Sequence, residues 1–143
     1  KKNKIKYHVI NYSKKKQAEN KILRYLRKNK IDLICLAGFM KILSSDFINK
    51  FKKPILNIHP SLLPKYKNMM DLDIHQKVIE NNDLYTGCTL HIVEEGVDEG
   101  EIVLQKKIEV TTTDKYDLKK NIQNLENECI LNCVELIENN KLT

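Results

Sequence analysis

Asp32-Leu33-Ile34-Cys35-Leu36-Ala37 is a continuous apolar run, and Gly38 ends it. A stretch apolar at successive rather than alternate positions is what a parallel strand covered on both faces requires. Cys35 sits in the middle of that pattern and reads as buried. Parallel strands need crossovers, and helices stand on either side of the run. Upstream, Lys14 to Lys28 carries Ile22, Leu23 and Leu26 on one face and reads as an amphipathic helix. Downstream, Ser45 to Phe51 reads as a short helix with Ser44 or Ser45 as its cap. Pro54-Ile55-Leu56-Asn57-Ile58 is the next strand, and Pro60 and Pro64 push the segment after it out of regular structure.

The alternation extends both ways. Ile5 to Ile10 alternates and reads as a short strand. Leu72 to Glu80 reads as a helix ended by Asn81-Asn82-Asp83. Gly87 to Val93 is a strand with Thr89 and His91 on one face and Leu90 and Ile92 on the other. Glu94 to Gly100 is a loop, and Glu101 to Val110 a strand with Ile102, Leu104 and Ile108 at alternating positions. Thr111-Thr112-Thr113-Asp114 caps a long final helix, striped by Leu118, Ile122, Leu125, Cys129 and Cys133. The expected fold is a layered α/β domain. Its sheet is mostly parallel, with helices on both faces and an antiparallel carboxyl-terminal strand pair. Ligands of such sheets gather at the carboxyl ends of strands. Asn57, His59, Asp98 and Gly38-Phe39-Met40 all read as lying just after strand ends.

With 143 residues, 41% of them apolar, the chain suits one domain with a real core. The net charge of +6 comes from lysines interleaved with Asp and Glu, with few aromatics. That pattern argues for a solvated surface or a cleft suited to a small anion, and against nucleic acid. No apolar run approaches the roughly 18–20 residues of a membrane span. Lys1-Lys2-Asn3-Lys4 is basic, but a charged helix comes after it, so no signal peptide is expected. Cys35, Cys88, Cys129 and Cys133 show neither metal spacing nor a disulfide framework, which fits the reducing cytoplasm or an organelle matrix.

The chemistry lies in Asn57-Ile58-His59-Pro60-Ser61-Leu62-Leu63-Pro64 and, downstream, Asp98-Glu99-Gly100. An amide can polarise a carbonyl, an imidazole can move a proton, and a carboxylate can tune that imidazole. These parts suffice to transfer an acyl or formyl group without a covalent enzyme intermediate. His91 reads as a packed, hydrogen-bonded neighbour of this group. His75 and His8 read as surface or helix residues, Lys65-Tyr66-Lys67 as solvated surface, and Met69-Met70 as loop packing.

Three ordered motifs resemble the phosphoribosylglycinamide formyltransferase family, over a stretch from about Ser13 to the end of the final helix. They are Leu36-Ala37-Gly38-Phe39-Met40-Lys41-Ile42-Leu43, the Asn57 to Pro64 stretch, and His91-Ile92-Val93 with Asp98-Glu99-Gly100 and Gln105. The resemblance implies formyl transfer from 10-formyltetrahydrofolate to the amine of glycinamide ribonucleotide, with no metal. It implies that Asn57 holds the formyl oxygen, His59 shuttles the proton, and Asp98 raises the His59 pKa and orients a water or the ring. It further implies folate contacts by Met40, Lys41, Ile42, Leu43, Asn57 and by Glu94, Glu95, Gly96, Val97 and Asp98. The ribonucleotide would meet Gln123, Asn124, Leu125 and Glu126.

The chain also departs from the family. The family's amino-terminal strand and phosphate-cradling glycine-rich loop have no counterpart among these residues. The chain is therefore expected to be one formyltransferase domain, 1–143, without that part, and to bind folate better than ribonucleotide. Lys41 stands where the family has Arg, which keeps the charge but loses the bidentate fork. Asn127, Ile130 and Leu131 replace a His and a Tyr-Pro, and Lys67-Asn68-Met69-Met70-Asp71 lacks a common glycine. Three other readings stay open: formyltetrahydrofolate deformylase, methionyl-tRNA formyltransferase, and a folate-binding module without turnover. The sequence does not decide the oligomeric state.

Overall fold

The structure, a computed structural model, describes residues 5–139. The basic Lys1-Lys2-Asn3-Lys4 lies outside that range. In chain order the elements are α1 Lys15–Lys28, β1 Ile34–Leu36, α2 Ser45–Phe51, β2 Ile55–His59, α3 Leu72–Glu80, β3 Tyr85–Ile92, β4 Ile102–Glu109 and α4 Lys115–Glu138. The start signals hold. Ser44 caps α2 by accepting the Phe47 amide, and Asp114 caps α4 by accepting those of Tyr116 and Asp117.

The strands lie in the order β1-β2-β3-β4. β1 and β2 run parallel through the α2 crossover, while β2–β3 and β3–β4 are antiparallel. The layered α/β class and the antiparallel carboxyl-terminal pair are as expected, but among the described residues the sheet is mixed rather than mostly parallel. Apolar patterning reports which faces are covered. It does not report strand direction, which here is set by β3 returning beside β2. Asn57 and His59 accordingly belong to β2 itself instead of coming after it.

Two segments differ for reasons of partnership. Ile5 to Ile10 alternates in sequence but forms no strand, and Ile5, Tyr7 and Val9 are exposed. Alternation needs a neighbouring strand to bond with, and none lies beside it among the described residues. Cys35 is exposed rather than buried. β1 is the edge of the described sheet, and one of its faces is left uncovered there.

Helices pack on both sheet faces. Leu56 and Ile58 of β2, with Cys88 and Leu90 of β3, meet Ile122, Cys129 and Cys133 of α4. Ile55, on the opposite face, joins Leu23 of α1 and Leu43 and Phe47 at α2. Because strand side chains alternate, Asn57 and His59 share the Ile55 face, and Asn57 opposes His91 across the β2–β3 ladder. Between Leu90 and His91 the β3–β4 register slips by one residue, a bulge beside the site. Gly38 stands at φ +61, the left-handed region that ends β1 without strain in a residue lacking Cβ. Gly100 lies so close to the Ile92 carbonyl that a Cβ would collide with it.

Candidate active site

The segment after β2 is pinned to the sheet. Thr89 Oγ1 donates to the Ser61 carbonyl at 2.7 Å and accepts from the Leu63 amide at 3.0 Å. Gln105 Nε2 donates to that same hydroxyl at 2.8 Å and to the Leu63 carbonyl at 3.0 Å. Thr89 is fully buried, so these bonds satisfy a hydroxyl that would otherwise be costly to bury. The result is a fixed exit from His59.

Asn57, His59, His91 and Asp98 converge at one end of the sheet. Asn57 Nδ2 lies 3.2 Å from His91 Nε2. His91 Nδ1 donates to the Ile92 carbonyl at 2.9 Å, so its Nε2 is free to accept from Asn57 when the ring is neutral. Asp98 bridges both imidazoles, with Oδ2 3.4 Å from His59 Nδ1 and Oδ1 3.6 Å from His91 Nε2. Asp98 adopts φ 54 and accepts the Asn68 amide at 3.1 Å. His91 is therefore part of the cluster, a role the sequence understated. Its strand alternation with Thr89 was the available signal.

Burial pushes the His59 pKa below the ordinary imidazole value. The charge of Asp98 and the Tyr66 carbonyl pull it up, but burial prevails. Asp98 raises the His59 pKa, the direction expected of it, and desolvation more than cancels the gain. Burial also opposes the charge on Asp98, but the His91 and His59 imidazoles and the Asn68 amide outweigh it, so its pKa is lowered. The pair rests as a carboxylate facing a neutral imidazole.

A cleft of about 200 Å³ opens on this cluster. Met40, Lys41, Ile42 and Leu43 line one wall, and Glu94, Glu95, Gly96, Val97 and Asp98 another. Met40 and Ile42 expose apolar surface, whereas Leu43 doubles as core. Two loops with apolar side chains and free backbone groups suit a flat, partly polar ring system. Gln123 and Glu126 also line the cleft; Asn124 and Leu125 do not. One helical turn separates 123 from 126, so they share a face. Leu125 rotates onto the α4 core and Asn124 stays exposed.

Other lining residues were not foreseen. Met69 and Met70 face the cleft. His75, read as surface or helix, is on α3 but only 2% exposed, and its Nδ1 has no hydrogen-bond partner among the described residues. Burial lowers its pKa. Lys119 pairs with Asp71 at 2.5 Å, tying α4 to the start of α3. The Glu126 carboxyl is pushed up to about 7 by burial and then by the Asp71 charge, against Lys119. Lys65-Tyr66-Lys67, read as solvated, contains the half-buried Tyr66, whose carbonyl lies 3.2 Å from His59 Nε2. His8 is exposed and packs edge-on against Tyr25. Among the described residues no group of three His, Cys, Asp or Glu side chains could hold a metal ion. No helix among them is long and apolar enough to cross a membrane.

Comparison with known proteins gives the same direction. A family model described as formyl transferase matches residues 1–134. The Haemophilus influenzae phosphoribosylglycinamide formyltransferase is 45% identical over 107 residues, covering 75% of this chain and 49% of that protein. The human trifunctional purine biosynthetic protein adenosine-3 is 42% identical over 113 residues, 77% of this chain and 11% of that one. The crystal structure of phosphoribosylglycinamide formyltransferase from Anaplasma phagocytophilum superposes with a TM-score of 0.79 at 35% identity, covering 87% of this chain and 60% of that chain. The chain thus spans at most about half the length of these two curated relatives.

Proposed function

Because the chain belongs to the formyl transferase family, we propose that it transfers a formyl group from 10-formyltetrahydrofolate to the amine of 5-phosphoribosylglycinamide, a step of purine biosynthesis. The observation that carries this reading is the meeting of Asn57, His59 and Asp98 at the mouth of one cleft. The relatives' names supply the acceptor.

In this reading the folate lies between Met40–Leu43 and Glu94–Asp98. The acceptor amine attacks the formyl carbon, and the carbonyl oxygen gathers negative charge. Asn57 Nδ2 donates one hydrogen to His91 and has a second to offer that oxygen. Neutral His59 takes the proton that the amine must lose and passes it to the folate nitrogen as the carbon–nitrogen bond to folate breaks. Asp98 stabilises the imidazolium formed in between. Gln123 and Glu126 face the acceptor.

The test is a turnover assay with 10-formyltetrahydrofolate and glycinamide ribonucleotide. Formylated ribonucleotide is the expected product. Formate released without acceptor would instead assign a deformylase, and folate binding without either product would assign a binding module.

A further inference from the structure

Tyr66 lies outside the cleft lining, yet it meets the proton-transfer residue through its backbone. Its carbonyl oxygen is 3.2 Å from His59 Nε2. A carbonyl can only accept, so this contact is a hydrogen bond when Nε2 carries the hydrogen, and it competes for that hydrogen with the longer Nδ1–Asp98 contact. With the hydrogen on Nε2, a neutral ring leaves Nδ1 bare, and Nδ1 is the atom 3.4 Å from Asp98.

The Tyr66 backbone is itself held in an unusual place. Its φ of 62 lies in the left-handed region, uncommon for an aromatic residue. The side chain offers the reason. Its hydroxyl donates to Asp83 Oδ2 at 2.7 Å and accepts from Asn81 Nδ2 at 2.8 Å. Lys65 Nζ holds the other oxygen of Asp83 at 2.6 Å, and Ser61 Oγ donates to the Lys65 carbonyl at 2.5 Å. The Tyr66 pKa is raised, by burial first and then by Asp83, so the hydroxyl keeps its proton and stays a donor. Asn81-Asn82-Asp83, at the end of α3, thus reaches the active centre through one side chain.

We propose that Tyr66 is a positioning residue: its hydroxyl, anchored on Asp83 and Asn81, holds its own carbonyl where it fixes the His59 hydrogen on Nε2 and leaves Nδ1 as the atom that exchanges protons. The inference rests on the reading of His59 as the proton-transfer group. It extends that reading to a residue some distance from the substrate. Were the carbonyl to swing away, a neutral His59 could place its hydrogen on Nδ1, toward Asp98. That ring could no longer accept a proton there.

The experiment compares Tyr66→Phe, Asn81→Ala and Asp83→Asn in the full chain. Long-range proton–nitrogen NMR of the neutral His59 ring reports the tautomer, and steady-state kinetics run in parallel. The parent protein should show Nε2–H alone. Tyr66→Phe should populate both tautomers and lower kcat about ten- to hundredfold, the usual cost of a misplaced reacting group, with folate KM unchanged. Asp83→Asn keeps an accepting oxygen and should retain the parent tautomer. Asn81→Ala should show a weaker form of the Tyr66→Phe effect, and it carries the test if Tyr66→Phe fails to fold. A pure Nε2–H ring in Tyr66→Phe, or equal loss of kcat in all three variants with no tautomer change, would overturn the proposal. A redistributed tautomer with unchanged kcat would leave the positioning intact and remove the proton-transfer role of His59.

Discussion

Asp98 presents Oδ2 at 3.4 Å to Nδ1 of His59. Burial has already lowered the His59 pKa, and Asp98 works against that lowering. Removing the charge in Asp98→Asn should lower it further. The acid limb of the pH–rate profile should therefore move to lower pH while the maximal rate falls. The limb belongs to the coupled pair rather than to either residue alone. A limb that moves to higher pH, or stays in place, would contradict the electrostatic role.

In the proposed reaction His59 accepts and returns the proton, and His59→Ala removes it. Turnover should drop roughly 100- to 10,000-fold, the range for positioned general acid–base groups. The measurement is kcat at saturating folate and acceptor. Near-normal turnover would end the assignment of His59.

In the proposed reaction the Asn57 amide donates to the developing oxyanion, and Asn57→Ala removes it. The barrier should rise by about 2–4 kcal/mol, with little change in folate affinity. A raised KM at unchanged kcat would mean that Asn57 binds the ground state instead. Asn57→Ala also frees His91 Nε2 of its donor, so His91→Ala is a useful companion and should cost less.

Glu126 titrates near 7, held up by burial and then by Asp71. Below that pH it is neutral, and above it can pair with the acceptor's amine. The acceptor KM should fall as pH rises through about 7, whereas folate KM should not change with it. Glu126→Gln should flatten that dependence and raise acceptor KM about ten- to hundredfold, since hydrogen bonds to charged groups contribute about 1.5–3 kcal/mol. Kinetics with each substrate varied separately distinguish the two sides of the cleft.

His75 links the site to folding stability. Its folded pKa is depressed by burial, while the unfolded imidazole titrates near 6.5. Above that unfolded value the neutral ring costs nothing extra. As pH falls below it, the unfolded chain binds a proton that the folded chain resists, and stability is lost by up to about 1.4 kcal/mol per pH unit. His59 contributes in the same window. Urea unfolding between pH 7 and 5 should show this slope, and His75→Leu should reduce it. An unchanged slope in that variant would mean that His75 takes up its proton while folded.

Much of this fold is legible from local signals because those signals are local in physics. Leu72 to Glu80 has helical spacing and a polar stop, and the helix has those ends. Ser44 and Asp114 cap where short polar side chains before amphipathic runs should. The chemistry of Asn57, His59 and Asp98 is legible in the ordered motifs, and the fold brings the three to one cleft. What stayed hidden depends on partners distant in sequence. Cys35 has a buried strand's composition, but its exposure is decided by what lies beside β1. Ile5 to Ile10 alternates with no strand to pair with among the described residues. His75 looks like any helical histidine until α4 closes over it. Tyr66 looks like surface until its hydroxyl is seen to reach the end of α3, and no spacing rule connects 66 with 81 and 83.

The left-handed backbone of Asp98 has a consequence for which substitutions are open to it. At φ 54 every residue but glycine carries a steric cost, least for Asp and Asn, whose short polar side chains can bond locally, although Lys52 and Tyr66 occupy the same region. Two filters therefore act at this position, one on shape and one on charge, and they admit different residues. Glycine and asparagine pass the first and fail the second. Glutamate passes the second and is disfavoured by the first, and it carries the charge on a longer arm. Aspartate is the residue that satisfies both. A Glu here would carry its carboxylate one methylene further from the backbone, so the 94–100 loop would have to shift to return that charge to His59.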